Sequence, residues 1–296
     1  MTERHKIGWI GLGKMGAPMS ENLIKKGYKL IVYDIAKENV DKLIAMGALS
    51  ADSLEDIGRT SDVIISMIPN DRVLDEISIQ PGGVFKTLKP GAIFIDMSTV
   101  SPSASARVDR VAKQKDIKYL RAPVSGSTLL AKEAKLTIFV SGPNDAYKNC
   151  LKIFESMGQK SFYVGDNEQA RFLKLVINIM VGLTAAITAE ALTFGQKGDM
   201  DWKQMIDIVS NSVVASPLII YKAQALKDHD FSAAFTANQM AKDFNIILDT
   251  GRDMGLHLPM VSMVYQYLAD MKHLDKGDLD FFGLITLWEE MNSINR

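Results

Sequence analysis

The chain contains very little cysteine and histidine. Cys150 is the one cysteine among 296 residues, so the chain cannot form an internal disulfide. The four histidines are scattered without metal-ligand spacing, which predicts no metal site: His5, His229, His257 and His273. A chain of this size without disulfides fits a reducing environment, and we expect a cytoplasmic protein.

Charge of either sign is not in excess. The 34 basic and 35 acidic side chains leave a formal net charge of −1 at pH 7. A nearly neutral chain gives no electrostatic reason to expect nucleic acid or an anionic membrane as its partner. With 47% hydrophobic and 23% charged residues, the composition is typical of a globular protein with one large or two ordinary domains.

Long uninterrupted apolar segments are also missing. The N-terminus lacks the apolar stretch of a signal peptide. The most apolar run, residues 173–189, contains Lys174 and Asn178 and is followed by Glu190. Because charged and amide groups are costly in lipid, this run is interpreted as a buried core helix rather than a membrane span.

Two hydrophobic periods divide the chain near residue 165. Before this point, apolar runs such as "KIGWIG", "DVIISMIP" and "AIFIDMS" alternate with helical patterns and are typical of buried strands. Continuous apolar strands separated by helices predict a parallel sheet covered on both faces. After it, helical segments follow one another. The sequence therefore predicts an α/β domain with a mostly parallel sheet over residues 1–165 and an all-α C-terminal domain over residues 166–296.

A glycine-rich turn follows the first predicted strand, in "IGWIGLGKMGAPM". Gly11, Gly13 and Gly16 have the G-x-G-x-x-G spacing, which permits a tight turn, close approach of a pyrophosphate and close helix packing, respectively. The following helix offers its N-terminal N–H groups to the phosphates. The loop, with Leu12 and Met15, is therefore predicted to bind a dinucleotide in a Rossmann-type domain.

Asp34 ends the second predicted strand, 18 residues after Gly16. A carboxylate at this point can accept hydrogen bonds from the adenosine ribose and would repel a 2′-phosphate, so NAD(H) is favoured over NADP(H). Lys37 is a nearby cation that could weaken this preference. Alternatively, Asp34 is a turn residue that caps the helix beginning near Lys37.

Two further predicted strands end at the same edge of the sheet. The loops after them contain five candidate contacts to the cofactor: Met67, Ile68, Pro69, Ser98 and Thr99. In an open parallel sheet, the loops after the carboxyl ends of strands line the ligand crevice. Each loop is also explained as an ordinary turn into a helix, with Asp71 and Ser101 as N-caps.

Lys174 and Asn178 are four residues apart, so they project from one face of the same helix. A lysine in a closed cleft loses hydration, which lowers its pKa and lets it gain and lose a proton near neutral pH. Lys174 is therefore a candidate general acid/base, with Asn178 as an orienting hydrogen-bond partner. The structural alternative is a lysine that reaches water beside an asparagine satisfied by a neighbouring carbonyl.

Five motifs occur in a defined order: "GLGKMGAPMSENL", "FIDMSTVSP", "APVSGS", "KLVINIM" and "MAKD". In this order and at these separations they resemble the β-hydroxyacid dehydrogenase family over essentially the whole chain. The resemblance implies a dinucleotide-binding domain, an all-α domain, an active site in the cleft between them, and a homodimer or homotetramer. It also implies reversible hydride transfer between nicotinamide and a small hydroxyacid or carboxylate-bearing aldehyde.

The resemblance also implies roles for individual residues. Lys174 matches the family's catalytic lysine, and Asn178 matches its companion. The remaining matches are positions that contact substrate or cofactor: the carboxylate loop of Ser125, Gly126 and Ser127, then Thr99, the pair Lys242 and Asp243, and the pocket aromatic Phe235.

The chain departs from the family pattern at several positions. Arg121 stands where an aspartate is common, and it is a candidate for selecting the substrate. Leu130 and Ala134 stand where further glycines are frequent. "APVSGS" and "GQKSFYVG" favour the glyoxylate and succinic semialdehyde reductase branch, whereas Asp34 stands where that branch usually has an arginine selecting NADP(H).

The expected substrate is therefore 3-hydroxyisobutyrate-, glyoxylate- or succinic semialdehyde-like. Two other functions stay open at this stage. One is an imine reductase on the same architecture, although the retained lysine is unusual for those enzymes. The other is a non-catalytic dinucleotide-binding protein that responds to redox state.

Overall fold

The computed structural model describes residues 6–294, so His5 lies outside the described residues. The chain forms two compact units, Met1–Lys174 and Leu175–Arg296, and the division falls inside one long helix. The predicted domain boundary after residue 165 coincides with the end of the last strand.

The first unit alternates strands and helices. The strands are β1 (Ile7–Ile10), β2 (Leu30–Tyr33), β3 (Leu49–Ser50), β4 (Val63–Ser66), β5 (Ile93–Asp96), β6 (Lys118–Arg121), β7 (Val124–Ser125), β8 (Leu136–Ser141) and β9 (Gly158–Gly165). The helices are α1 (Gly16–Lys25), α2 (Lys37–Ile44), α3 (Leu54–Thr60), α4 (Asp71–Ser78), α5 (Pro102–Gln114), α6 (Thr128–Lys132) and α7 (Asn144–Glu155).

The strands form a nine-stranded sheet in the order β3-β2-β1-β4-β5-β6-β8-β7, with β9 beside β8. The strands from β3 to β6 are parallel to their neighbours, and β9 is parallel to β8. Strand β8 is antiparallel to β6 and to β7. The order reverses direction beside β1, and the predicted mostly parallel, Rossmann-type sheet is confirmed.

Side chains alternate across the sheet and supply two cores. In β4, Val63 and Ile65 pack with α1, α2 and α7 on one face, whereas Ile64 packs with α3, α4 and α5 on the other. All three side chains are fully buried. Helices thus cover both faces of the sheet, which explains why its central strands are continuous apolar runs.

Helix starts after β4 and β5 match the predictions in part. Ser101 caps α5, since its hydroxyl accepts a hydrogen bond from the Ala104 amide at 3.0 Å. The prediction that Asp71 caps α4 is wrong, because Asn70 is the cap and accepts from the Val73 amide at 3.0 Å. Asp71 instead joins the two loops by accepting hydrogen bonds from the amide and the hydroxyl of Ser101.

The second unit is helical, as predicted for the C-terminal part. It contains most of α8 (Gln169–Lys197), then α9 (Trp202–Ser210), α10 (Pro217–Asp228), α11 (Ala237–Asp253), α12 (Pro259–His273) and α13 (Leu284–Met291). Gly182 lets α8 approach α11 closely, because a Cβ there would overlap the ring of Phe244. Its core combines these helices around aliphatic and aromatic side chains such as Phe244 and Trp288.

The expectation that residues 173–189 form a buried core helix is only partly correct. Helix α8 is long and apolar enough to cross a membrane, with a mean hydropathy of 1.9 in an 18-residue window, but just 39% of that window is buried. The buried face consists largely of small residues such as Ala185 and Ala189. Larger apolar side chains, among them Met180 and Phe194, lie on the exposed face.

Candidate active site

Gly11 and Gly16 shape the loop between β1 and α1. Gly11 has a φ of +91°, and a Cβ there would overlap the carbonyl oxygen of Met67 in the neighbouring loop. A Cβ at Gly16 would overlap the carbonyl oxygen of Gly11, which also accepts a 2.8 Å hydrogen bond from the Trp9 indole. Both positions therefore need glycine for reasons internal to the fold.

Gly13 is different, because it faces open space. Within residues 6–294, no heavy atom lies within 4 Å of the position that its Cβ would take. A cavity of about 380 Å³ opens beside it, and Lys14, Asn39 and Lys42 contribute to its lining. The exposed backbone of Gly13 beside the start of α1 is the arrangement that accepts a pyrophosphate. The residues present thus fit a bound dinucleotide.

Asp34 connects the end of β2 to the glycine loop. Its carboxylate accepts hydrogen bonds from the amides of Leu12, at 2.5 Å, and Ala36, at 2.7 Å. The alternative interpretation is correct in part: Asp34 is a turn residue, since it accepts from the amide two positions on, but Ala36 occupies the N-cap position of α2. Each carboxylate oxygen has a second lone pair, so Asp34 can still accept hydroxyl groups of a ribose.

Hydrogen bonds join the loops after β4 and β5. Asp96, fully buried, accepts the hydroxyls of Ser66 at 2.8 Å and Ser98 at 2.7 Å. The Ser98 hydroxyl in turn accepts from the Ile68 amide at 2.8 Å. The predicted cofactor contacts Met67, Ile68, Pro69 and Thr99 therefore lie in two loops that are fixed to each other.

Sequence reasoning missed Asp96 and its partner Arg171. The two form an ion pair at 2.5 Å, and both side chains are almost completely buried. The signal available was a charged residue at the end of the apolar strand "AIFID" and another beside the apolar run of α8. Nothing in the local pattern links residues 75 positions apart.

The predicted carboxylate loop follows β7. Gly126 has a φ of +139°, and a Cβ there would lie 2.7 Å from Leu136. Ser127 caps the short helix α6. The Asn22 side chain of α1 donates a 2.7 Å hydrogen bond to the carbonyl of Ala131 in α6. Ser125 is half-buried at the end of β7. The loop is thus anchored to the same helix, α1, that begins at the glycine loop.

Arg121, a candidate for selecting the substrate, is buried and paired with carboxylates of the same unit. Its guanidinium is 1% exposed and pairs with Glu168 at 2.5 Å and with Asp109 at 3.0 Å. An arginine in the position where an aspartate is common therefore has carboxylate partners of its own. Ala134 adopts a φ of +55°, which explains why glycine is frequent at that position in the family.

Asn178 is held by Asp243 in the second unit. The Asn178 amide nitrogen donates to an Asp243 carboxylate oxygen at 2.6 Å, and Asp243 also pairs with Lys242 at 2.8 Å. Because a carboxylate only accepts, the nitrogen of the amide must face it. The Asn178 oxygen is therefore left to accept from another donor. These contacts assign Asp243 to the orientation of Asn178, and its direct contact with substrate stays a prediction.

Lys174 lies in the second turn of α8 and is half-buried. It precedes Asn178 by one helical turn on the same face. Phe235 is half-buried ahead of α11, and its ring packs edge-on against Phe281 with centroids 6.1 Å apart. Within residues 6–294, no group of three or more histidine, cysteine or acidic side chains is placed to hold a metal ion.

The fold and the glycine loop define an NAD(P)-binding α/β protein, and comparisons with known proteins narrow this class. Residues 6–165 match the family described as the NAD binding domain of 6-phosphogluconate dehydrogenase. Residues 169–288 match the family described as NAD-binding of NADP-dependent 3-hydroxyisobutyrate dehydrogenase. Together these two matches include nearly all of the described chain.

Several known proteins are similar over nearly their whole length. The chain is 32% identical to 2-(hydroxymethyl)glutarate dehydrogenase of Eubacterium barkeri, covering 100% of this chain and 98% of the relative. It is 31% identical to NAD-dependent L-serine dehydrogenase of Pseudomonas aeruginosa, covering 87% and 89%. The structure of Mycobacterium tuberculosis 3-hydroxyisobutyrate dehydrogenase with L-serine has the same fold, with a TM-score of 0.87 at 24% identity, covering 96% and 99%.

The chain belongs to the β-hydroxyacid dehydrogenase family. Both of its family matches are to NAD-binding domains, and relatives that match over most of their length are named as dehydrogenases of hydroxyacids. The imine reductase alternative is less well supported, since the structure of such an enzyme from Pseudomonas sp. has a TM-score of 0.61 at 20% identity, covering 96% of this chain and 99% of that one. The relatives with the higher identities are named as dehydrogenases, whereas cytokine-like nuclear factor N-PAC of Homo sapiens is 28% identical over 93% of this chain and 50% of its own length.

Proposed function

We propose that the protein transfers hydride reversibly between NAD(H) and a short β-hydroxyacid, with Lys174 as general acid/base. When bound, the nicotinamide supplies or takes up the hydride. In oxidation, the neutral amine of Lys174 accepts the proton of the substrate hydroxyl. In reduction, its ammonium form donates a proton to the carbonyl oxygen.

The observation that carries this proposal is the orientation of Asn178. Asp243 holds the amide nitrogen, so the amide oxygen faces the other way and can accept from a donor there. The two donors that the reaction offers are the Lys174 amine, one helical turn earlier, and the substrate hydroxyl. Either contact would align the proton transfer, because the proton passes between the lysine nitrogen and the substrate oxygen and each contact fixes one of these two atoms.

The substrate carboxylate would bind the loop of Ser125, Gly126 and Ser127. The Ser127 hydroxyl accepts from the Leu130 amide at 3.4 Å, which leaves its own proton to be donated. Backbone N–H groups at the start of α6 add further donors for an anion. Thr99 and Lys242 are proposed as contacts to cofactor or substrate, and Phe235 as an apolar wall of the substrate pocket.

The substrate class follows from the chemistry of the relatives' substrates. The names 2-(hydroxymethyl)glutarate, L-serine and 3-hydroxyisobutyrate describe acids with a CH₂OH group on the carbon that bears the carboxylate. They differ in the third substituent on that carbon. We propose that this protein oxidises the same unit to a semialdehyde, with the third substituent chosen by residues outside the carboxylate loop.

Initial rates over a matched panel test this proposal. The three acids above and unsubstituted 3-hydroxypropionate should be oxidised, and methylmalonate and tartronate semialdehydes should be reduced. Glyoxylate and succinic semialdehyde have different spacings between carbonyl and carboxylate, and serve as comparison. Faster reduction of these two aldehydes than of any member of the first group would contradict the proposed substrate class and favour the semialdehyde reductase branch.

We also propose that NAD(H) is preferred over NADP(H). The support is Asp34, whose carboxylate lies at the end of β2 beside the glycine loop. Lys14 and Lys42 line the adjacent cavity and act in the opposite direction by attracting a phosphate. The ratio of kcat/KM for the two cofactors decides the matter, and a value in favour of NADP(H) would refute the role given to Asp34.

A homodimer or homotetramer is the proposed assembly. Its support is the exposed apolar face of α8, where Val176, Met180, Ile187 and Phe194 recur at helical spacing and are 52–83% exposed. A second copy of the chain would remove this face from water. Light scattering should show a dimer or larger that Met180→Glu with Ile187→Glu converts to monomer, whereas a monomeric wild type would contradict the assembly.

A cytoplasmic location is proposed on the basis of Cys150. It is the one cysteine of the chain, so no internal disulfide can form, which is usual for proteins of a reducing compartment. Fractionation of cells that produce the protein is the direct measurement, and a membrane-bound or exported pool would contradict this location.

A further inference from the structure

Arg171 lies in the first turn of α8, three residues before Lys174, and is 1% exposed. Its guanidinium donates to four groups: the Asp96 carboxylate at 2.5 Å, the Ser98 carbonyl at 2.7 Å, the Tyr119 hydroxyl at 2.9 Å and the Ser105 hydroxyl at 3.3 Å. All three nitrogens of the planar group thus donate to partners in the first unit.

These partners belong to the two loops that hold the predicted cofactor contacts. The Ser98 carbonyl is in the peptide bond that leads to Thr99. The side-chain hydroxyl of the same residue, Ser98, accepts from the Ile68 amide at 2.8 Å. Arg171 therefore attaches the first turn of α8 to the loop after β5 and, through Ser98, to the loop after β4.

A second attachment fixes the same end of the helix. Glu168 directly precedes α8 and accepts two hydrogen bonds from Arg121 of β6, at 2.9 and 2.5 Å. The two attachments, three residues apart, limit both rotation and sliding of the first helical turn. The next turn carries Lys174, so the position of its backbone follows from these two contacts.

Stability alone does not explain the buried ion pair of Arg171 and Asp96. Burying an arginine and an aspartate removes two charges from water, and apolar residues of similar size often stabilise a fold equally well. Unlike apolar packing, the pair makes directional contacts to specific backbone groups. Here those backbone groups lie beside Ile68 and Thr99.

We propose that Arg171 is a positioning residue that acts through Lys174, by fixing the start of α8 to the loops after β4 and β5. The inference rests on the proposed role of Lys174 as general acid/base. It extends that role, because a buried residue that contacts neither the substrate nor the transferred proton would fix the position of Lys174 for proton transfer.

The test is a double-mutant cycle of Arg171→Lys and Lys174→Ala in the full-length enzyme. Lysine keeps the charge beside Asp96 but cannot serve the Ser98 carbonyl and Tyr119 together. We expect Arg171→Lys to lower kcat by about 10–100-fold, the loss that a displacement near 1 Å causes, with the KM for the hydroxyacid changed less than about threefold. In the Lys174→Ala background, the same substitution should change kcat less than about twofold.

Two measurements that do not depend on turnover accompany the cycle. The affinity for NADH, from its fluorescence on binding, should change less than about threefold in Arg171→Lys. Hydrogen exchange without cofactor should be faster in peptides covering residues 67–70 and 98–101 of Arg171→Lys. Lys222→Arg is the matched control, since Lys222 forms a buried pair with Asp280 at 2.7 Å in the second unit, and it should alter neither kcat nor exchange in these peptides.

The outcomes separate the inference from the proposed function. If Lys174→Ala slows turnover but Arg171→Lys does not, or if the two losses multiply, the positioning role is wrong. A rise in the NADH dissociation constant that matches the loss of kcat/KM would show that Arg171 serves cofactor binding instead, which also overturns it. If Lys174→Ala turns over like wild type, the proposed function fails on that single variant, and the positioning role fails with it.

Discussion

Replacement of Asp243 should misorient Asn178 and lower kcat. The loss should be smaller for Asp243→Asn than for Asp243→Ala. The contact at stake is the 2.6 Å hydrogen bond from the Asn178 amide to a carboxylate that is 1% exposed. A hydrogen bond to a charged group contributes about 1.5–3 kcal/mol and one to a neutral group about 0.5–1.5 kcal/mol. Asp243→Asn keeps a neutral acceptor and loses about 1–1.5 kcal/mol, which corresponds to about a 5–10-fold lower kcat.

Asp243→Ala removes the acceptor altogether and should lower kcat by about 10–100-fold, because the amide of Asn178 is then free to turn. Steady-state kinetics with saturating cofactor measure both variants. Asp249→Asn is the matched control on the same helix, since Asp249 accepts from the Asn245 amide at 2.9 Å at an exposed site. If both Asp243 variants retain wild-type kcat, Asn178 does not need its orientation, and the reasoning from its amide oxygen is wrong.

Three further predictions concern the cofactor and the fold. Asp34→Asn should raise the NADP⁺ to NAD⁺ ratio of kcat/KM about tenfold, because repulsion of a 2′-phosphate is lost; an unchanged ratio would contradict this. Ala134→Gly should raise the free energy of unfolding by about 0.5–1 kcal/mol in a urea titration, because φ is +55°, whereas Ala131→Gly inside α6 should lower it; a loss at Ala134 would refute the strain argument. Burial raises the pKa of Cys150 from 9.0 to about 12, so the unfolded state releases the proton first and stability falls as pH rises through this interval. Relative to Cys150→Ala, the wild type should lose about 1.4 kcal/mol between pH 8 and 10, and a constant difference would contradict the shift.

The sheet and the glycine loop could be predicted because their signals are local. Strand β4 is a run of apolar residues buried on both faces, and the three glycines act within six residues of each other. Strand β6 has a weaker local signal, because its ends are Lys118 and Arg121, which are typical of surface positions. The burial of Arg121 depends on Glu168, 47 residues away, and no local pattern contains that partner.

The candidate site was predictable in its types of residue more than in its contacts. The four-residue spacing of Lys174 and Asn178 follows from helix geometry. The bond that orients Asn178 reaches Asp243, 65 residues away, and requires the packing of α8 on α11. The exposed face of α8 was overlooked because its apolar residues are typical of a core, and composition alone does not show which face a neighbour covers.

Measurement of kcat for Lys174→Ala tests the central claim most directly. The account predicts a fall of about 10²–10⁴-fold at neutral pH, the contribution of a general acid/base, with the dissociation constant of NADH nearly unchanged. The protein should be assayed with the β-hydroxyacid that the panel selects, beside Lys222→Arg as a folded control. Turnover close to wild type in Lys174→Ala would contradict the account and remove Lys174 from the chemistry.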